Sequence, residues 1–164
     1  MMDAIPPVSH YCKEQYELVK GSRKVLLEYC AAMAPKDLLN SNTSFGRGGS
    51  VRNLLVHIAN VYESWIGQQA LKKEIAFTAY PSKETVSELI ALFETVDLIM
   101  HEFLDLMDLP EMQRITYEVN NEKQEASAFK IFSHVITHEF HHKGQILSLS
   151  RHLGYTPVDT DMIR

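Results

Sequence analysis

An all-α fold, a four-helix bundle with a short β-hairpin before its last helix, is what this sequence predicts. Three observations carry the prediction. Apolar residues recur at helical spacing in four long segments. Pro, Gly and polar clusters separate those segments, and one short stretch before the last of them alternates with a period of two. Four amphipathic rods bury their stripes only against one another. At 164 residues the chain, 1–164, has the size of one domain and can bury a core without staples.

The first helix is expected from about Val8 to Met33, with Tyr11, Val19, Val25, Leu26, Tyr29, Cys30 and Met33 as its apolar positions. Gly21 weakens it by roughly 1 kcal/mol relative to Ala if interior and exposed. Pro35 and the polar run Asn40 to Gly49 end it, and the glycine-rich stretch from Ser44 reads as a flexible loop. Ser50 is the expected N-cap of the second helix, whose face is Val51, Leu54, Ile58, Val61, Tyr62 and Trp65. Tyr80-Pro81-Ser82 breaks the chain. Ser82, Glu84 and Thr85 then start a third helix with Val86, Leu89, Phe93, Val96, Met100, Leu104 and Met107 inside, stopping before Pro110.

Between Gln113 and Glu125, Ile115, Tyr117 and Val119 alternate with polar residues and Asn120-Asn121 follows, which predicts a tight hairpin. The fourth helix is expected from about Ala126 to Leu153, with Gly154 just past its end. The tail from Tyr155 has no period and is expected to strap the bundle.

Composition excludes several functional classes. A net charge of −5, without a Lys/Arg stripe, argues against nucleic acid and anionic membranes as partners. No apolar run approaches the roughly 18–20 residues that cross a bilayer. Cys12 and Cys30 are 18 apart, about five turns on one helix, so they read as separate thiols rather than a disulfide. The start, Met1 to Pro7, lacks the basic and apolar regions of a secretory signal. A cytoplasmic location is the expectation.

Four of the eight histidines lie in His134-Val-Ile-Thr-His138-Glu-Phe-His141-His142-Lys-Gly-Gln145. His138 and His142 are four apart, one helical turn, a spacing at which two imidazoles reach one metal ion. On a wheel of about 100° per residue they share their face with Ile131, Val135, Ile146 and Leu149, and so point inward. Buried ring nitrogens are costly without partners, and a cation satisfies them. His134 and His141 fall about 40° and 60° off that face and read as outer or surface residues. His57, on the side of helix two that carries Leu54, Val61 and Trp65, is the best-placed third ligand. His10 sits near a frayed end, His101 on a margin, and His152 in the last turn where it can meet the helix dipole. Three imidazoles leave coordination positions open, as catalytic sites do. Zn or Ni is expected, with Fe, Co and Mn as further options, since affinity order alone does not select the metal.

His138-Glu139-Phe140-His141-His142 also spells H-E-x-x-H, the zinc-protease motif. No Glu follows His142, and Gly144 falls one position too early for the longer form, so this reading fails. Glu139 lies about 100° from His138, where it can approach the ion's flank as a base or outer partner, and reads first as a solvated or salt-bridged residue.

Leu54-Leu55-Val56-His57-Ile58 with Trp65, and His138 to Ile146, resemble the DinB-like (DinB/YfiT-like) family of metal-binding four-helix proteins. The tail from Gly154 to Asp161 resembles that of Bacillus-type members. The resemblance covers most of the chain. It implies up-down-down-up connectivity, a homodimer and a divalent ion held by His57, His138 and His142. Lys143 stands where Arg is usual, a change that matters only for a bidentate anion contact. Some relatives are enzymes that use bacillithiol or mycothiol; many have no assigned reaction. The resemblance thus implies a metal-dependent enzyme acting on a small molecule, a low-molecular-weight-thiol S-transferase or related hydrolase. Its alternative is a non-catalytic metal-binding stress-response protein. Gln145, Glu139, Tyr62 and Trp65 are candidates to shape the cavity or orient ligands; no catalytic residue is assigned.

Overall fold

The computed structural model describes residues 5–45 and 49–164 and is mostly helical. Helix α1, Val8–Ala31, buries Cys12, Tyr16, Val19, Leu26 and Cys30 at helical spacing, while Tyr11 of the expected stripe faces solvent. It ends two residues before Met33. The segment after it is not wholly irregular: Pro35–Leu38 form one helical turn, α2, with Pro at its start where its missing N–H costs nothing. Of the stretch expected to be a flexible loop, residues 46–48 lie outside the described ones.

Ser50 caps α3, Val51–Tyr62, by accepting from Asn53 N at 3.0 Å. The helix does not continue as an α-helix to Trp65. Glu63–Ala70 form a π-helix, and Lys72, in the left-handed region at φ 55°, ends the rod. A π-helix takes more residues per turn, so the wheel that serves α3 does not carry past Tyr62.

The chain then runs back along this rod. Gln68 Nε2 donates to Ile75 O, Asn60 exchanges hydrogen bonds with the backbone of Thr78, and Arg52 NH1 donates to Lys83 O. Helix α4, Val86–Leu106, starts at a capping box formed by Thr85 and Glu88. Ser82, expected among its first residues, instead closes a short 3-10 turn by donating to Ala79 O. A second 3-10 turn, Pro110–Gln113, follows α4.

Strands β1, Ile115–Val119, and β2, Glu122–Ala126, pair antiparallel from Ile115↔Ala126 to Val119↔Glu122. Asn120 and Asn121 both have positive φ, the conformation a two-residue hairpin turn demands and Asn tolerates. Ala126 therefore closes β2 rather than opening the last helix. Helix α5, Ala128–His152, begins after Ser127, whose side chain accepts from Lys130 N, and ends at Gly154 with φ 94°.

Helix α1 contacts α4 and α5, and α3 contacts the same two. Along α1 and α4 the partners are Lys13–Asp105 and Tyr16–Asp97, with Ser9–Asp108 just past the end of α4. Along α1 and α5 they are Ser22–Lys143 and Tyr29–Ser150. The tail straps α1 as expected: Tyr155 OH donates to Asp37 and accepts from Ala34 N, Thr160 O accepts from Ser22, and Arg164 donates to Gly21 O. Among the described residues, no helix is long and apolar enough to cross a membrane.

Candidate metal centre

Helix α3 carries His57 and helix α5 carries His138 and His142, and the contact between these helices brings the three rings together. Ring centroids are 5.1 Å apart for His57–His138, 4.7 Å for His57–His142 and 4.4 Å for His138–His142. One ligand nitrogen from each lies within 4.8 Å of the others, so the group could hold a metal ion. His142 is buried; His57 and His138 are half-buried.

The nitrogens of α5 test that fit. His142 Nδ1 lies 2.7 Å from Gln145 Oε1, and Gln145 Nε2 lies 3.2 Å from His141 Nε2. An amide oxygen only accepts, so Nδ1 of His142 carries the proton and its Nε2 presents a lone pair. That Nε2 is 3.2 Å from His138 Nε2. Two nitrogens each about 2.0–2.1 Å from a tetrahedral ion are about 3.3 Å apart. Among the described residues, His138 Nδ1 is meanwhile buried with no hydrogen-bond partner. A proton on His138 would bridge one pair of rings; a cation engages all three. Burial, with His142 and His57 beside it, pushes His138 down to about 4, so its ring is uncharged and able to ligate at neutral pH.

Glu139 turns away from the triad. Its carboxylate, fully buried, accepts from Arg23 Nε at 3.0 Å and NH2 at 2.8 Å, from Tyr62 OH at 2.6 Å, and pairs with Lys143 Nζ at 3.0 Å. Arg23 NH1 donates to Asp97 Oδ1 at 2.7 Å, which also accepts from Tyr16 OH at 2.6 Å. Lys143 Nζ donates to Ser22 Oγ at 2.9 Å. Two buried cations thus meet the buried carboxylate of Glu139 and the half-buried one of Asp97. Burial works to raise Glu139, but Arg23 and Lys143 overcome it and hold the carboxyl at about 2. Burial pulls Lys143 down against the attraction of Glu139, and pushes the Tyr62 hydroxyl up. Lys143 makes single-point contacts, so no bidentate guanidinium is needed there.

Of the other aromatic and histidine candidates, Trp65 is half-buried with its ring 4.8 Å from His134 and 5.1 Å from Tyr117. Tyr62 donates to Glu139 and is more than packing. His134 and His141 are exposed and flank the triad. His10 pairs with Glu14, His101 with Glu17, and His152 Nδ1 lies 2.9 Å from Ser148 O, a carbonyl of the last turn. Cys12 and Cys30 are free and buried.

Sequence reasoning missed Arg23, Asp97 and Glu63. Arg23 had a signal: it stands four residues after Val19 and four before Leu27, on the stripe that α1 buries. Glu63, 4% exposed at the start of the π-helix, has Oε2 without a hydrogen-bond partner among the described residues, and burial raises its carboxyl.

Two comparisons bear on this architecture. The DinB family model matches residues 7–164. The uncharacterized protein YizA of Bacillus subtilis (strain 168) is 30% identical over 144 residues, covering 82% of this chain and 83% of YizA.

Proposed function

This chain belongs to the DinB family, and from that premise we propose that it is a divalent-metal-dependent enzyme, a low-molecular-weight-thiol S-transferase or related hydrolase. His57, His138 and His142 would hold the ion, Zn or Ni before Fe, Co or Mn. The convergence of three ligand nitrogens from two helices within 4.8 Å carries this reading. A divalent cation supplies Lewis acidity there, favouring the deprotonated form of a thiol or water. The chain's own residues prepare the site. Gln145 fixes the His142 tautomer, and His141 fixes the Gln145 amide in turn. The Arg23–Glu139–Lys143 cluster pins α5 about its axis, so that the residue just before Glu139, His138, faces α3.

The proposal extends to the assembly. The single domain would be an up-down-down-up four-helix bundle. In support, partner numbers fall along α4 as they rise along α1, and rise together along α1 and α5. The connection laid back along α3 returns the chain to the end where α3 began, so α3 and α4 run the same way. A homodimer follows from the family resemblance, a small-molecule substrate from the open coordination of three ligands, and a cytoplasmic location from two unpaired thiols.

The test is zinc titration against a chromophoric chelator, followed by turnover of bacillithiol with monobromobimane. One zinc per chain and turnover above the His57→Ala variant are expected; no stoichiometric zinc, or equal turnover, sinks the enzyme. An ion gripped by α3 and α5 also cross-links them, which favours a second reading, a non-catalytic metal-binding stress-response protein. In that case chelation lowers Tm sharply and the loaded protein shows no turnover.

A further inference from the structure

Between the hairpin, the π-helix and the first half of α5 lies a cavity of about 110 Å3, lined by Trp65, Tyr117, Ala126, Lys130, Ile131 and His134. It continues the seam that holds the triad. Contacts of α5 along α3 and the π-helix that continues it run His57–His142, Tyr62–Glu139 and then Trp65–His134, and the His134 ring is 5.9 Å from that of His138. One turn of α5 therefore separates this cavity from the candidate metal ligands.

The walls specify chemistry. Trp65 and Tyr117 meet edge to face at 62°, Trp65 meets His134 at 67°, and all three rings line the cavity, where a flat group can pack against aromatic carbon. Ile131 and Ala126 complete an apolar surface. The volume is somewhat below the roughly 150 Å3 of an apolar cavity known to take benzene, so one ring fills it with its substituent outside. No acidic residue lines it, and the exposed Lys130 ammonium has no carboxylate within ion-pair distance among the described residues. The hairpin wall is held in place, since Lys72 Nζ donates to Thr116 O and Tyr117 OH donates to Gln124.

We infer that this cavity is the ligand subsite of the metal centre and takes a small flat apolar ring bearing a carboxylate, the ring against Trp65 and Tyr117 and the carboxylate on Lys130. Its link to a metal rests on the triad reading; its ligand preference rests on the cavity alone.

Trp65 is the chain's single tryptophan, so its fluorescence reports on this wall directly. Benzoate, benzamide and benzylamine are titrated into zinc-loaded and chelator-treated protein, wild type and Lys130→Ala. Saturable change with benzoate, about tenfold weaker with the neutral amide, and levelling of the two in Lys130→Ala are expected in both metal states. Ala126→Ile, which fills the cavity, should abolish the response, with circular dichroism checking that the variant folds. No saturable change, or a benzoate preference that survives Lys130→Ala, overturns the subsite. Zinc bound without a benzoate response overturns the subsite while leaving the triad. A benzoate response without zinc binding overturns the link to a metal and leaves only an aromatic-carboxylate pocket.

Discussion

Glu139→Gln tests the polar interior most directly. The substitution keeps the size of the side chain and one acceptor, but removes the charge that neutralises Arg23 and Lys143, which are 3% and 1% exposed. Arg23 keeps Asp97; Lys143 keeps Ser22 and no carboxylate. Breaking a buried pair by removing one partner costs about 3–5 kcal/mol, and retention of the amide acceptor places this variant near the lower end, about 3 kcal/mol. For a chain of this size that lowers Tm by roughly 6–12 °C. The pH dependence carries a second signature. Glu139 sits at about 2 in the folded protein against an ordinary value of 4.5. A depressed carboxyl contributes stability that is complete above its unfolded value and is lost as pH falls through its folded one. Wild-type stability should therefore drop between about pH 4.5 and 2, and the variant should show a flatter profile there. Urea unfolding followed by far-UV circular dichroism, extrapolated to water at several pH values, measures both. A variant within about 1 kcal/mol of wild type, or one with the same pH slope, would refute the assignment of Glu139 as the charge that holds this cluster.

Two further predictions follow from other parts of the molecule. Gln145→Ala removes the acceptor that fixes His142, so zinc affinity should fall about 10–100-fold in a chelator competition, with Gln145→Glu restoring most of it; unchanged affinity in the alanine variant would show that the amide does not orient the ring. Burial pushes the Cys12 thiol up to about 11, with Asp108 adding to it, and burial pushes Cys30 up to about 12. Both should resist iodoacetamide at pH 8 in the native protein and react in denaturant, which mass spectrometry counts as labels per chain.

Much of this molecule is written locally. Four helical segments, the Ser50 cap, the Asn120-Asn121 turn and the Gly154 stop depend on backbone chemistry and on periodicity within a few residues, and these the sequence by itself determined. The i, i+4 pair His138 and His142 belongs to the same class, because one helix sets their spacing whatever packs against it. Element ends shifted where two local signals competed: Ala126 suits either a helix start or a strand end, and only pairing with Ile115 assigned it to β2. The π-helix after Tyr62 was not legible, since a change in hydrogen-bond register leaves no mark in hydrophobic period.

Which polar side chains meet depends on how the helices pack. His57 is the best-placed of several candidates in the sequence, but only the packing of α3 on α5 brings its ring within 5.1 Å of His138 and 4.7 Å of His142. Glu139 reads as a salt-bridged or solvated acid because its wheel position says which way it points but not which cations wait there; Arg23, more than a hundred residues earlier, is one of them. A charge is tolerated in the interior only when countercharges from other elements converge on it, and that convergence is a property of three-dimensional packing, with no period along the chain to announce it.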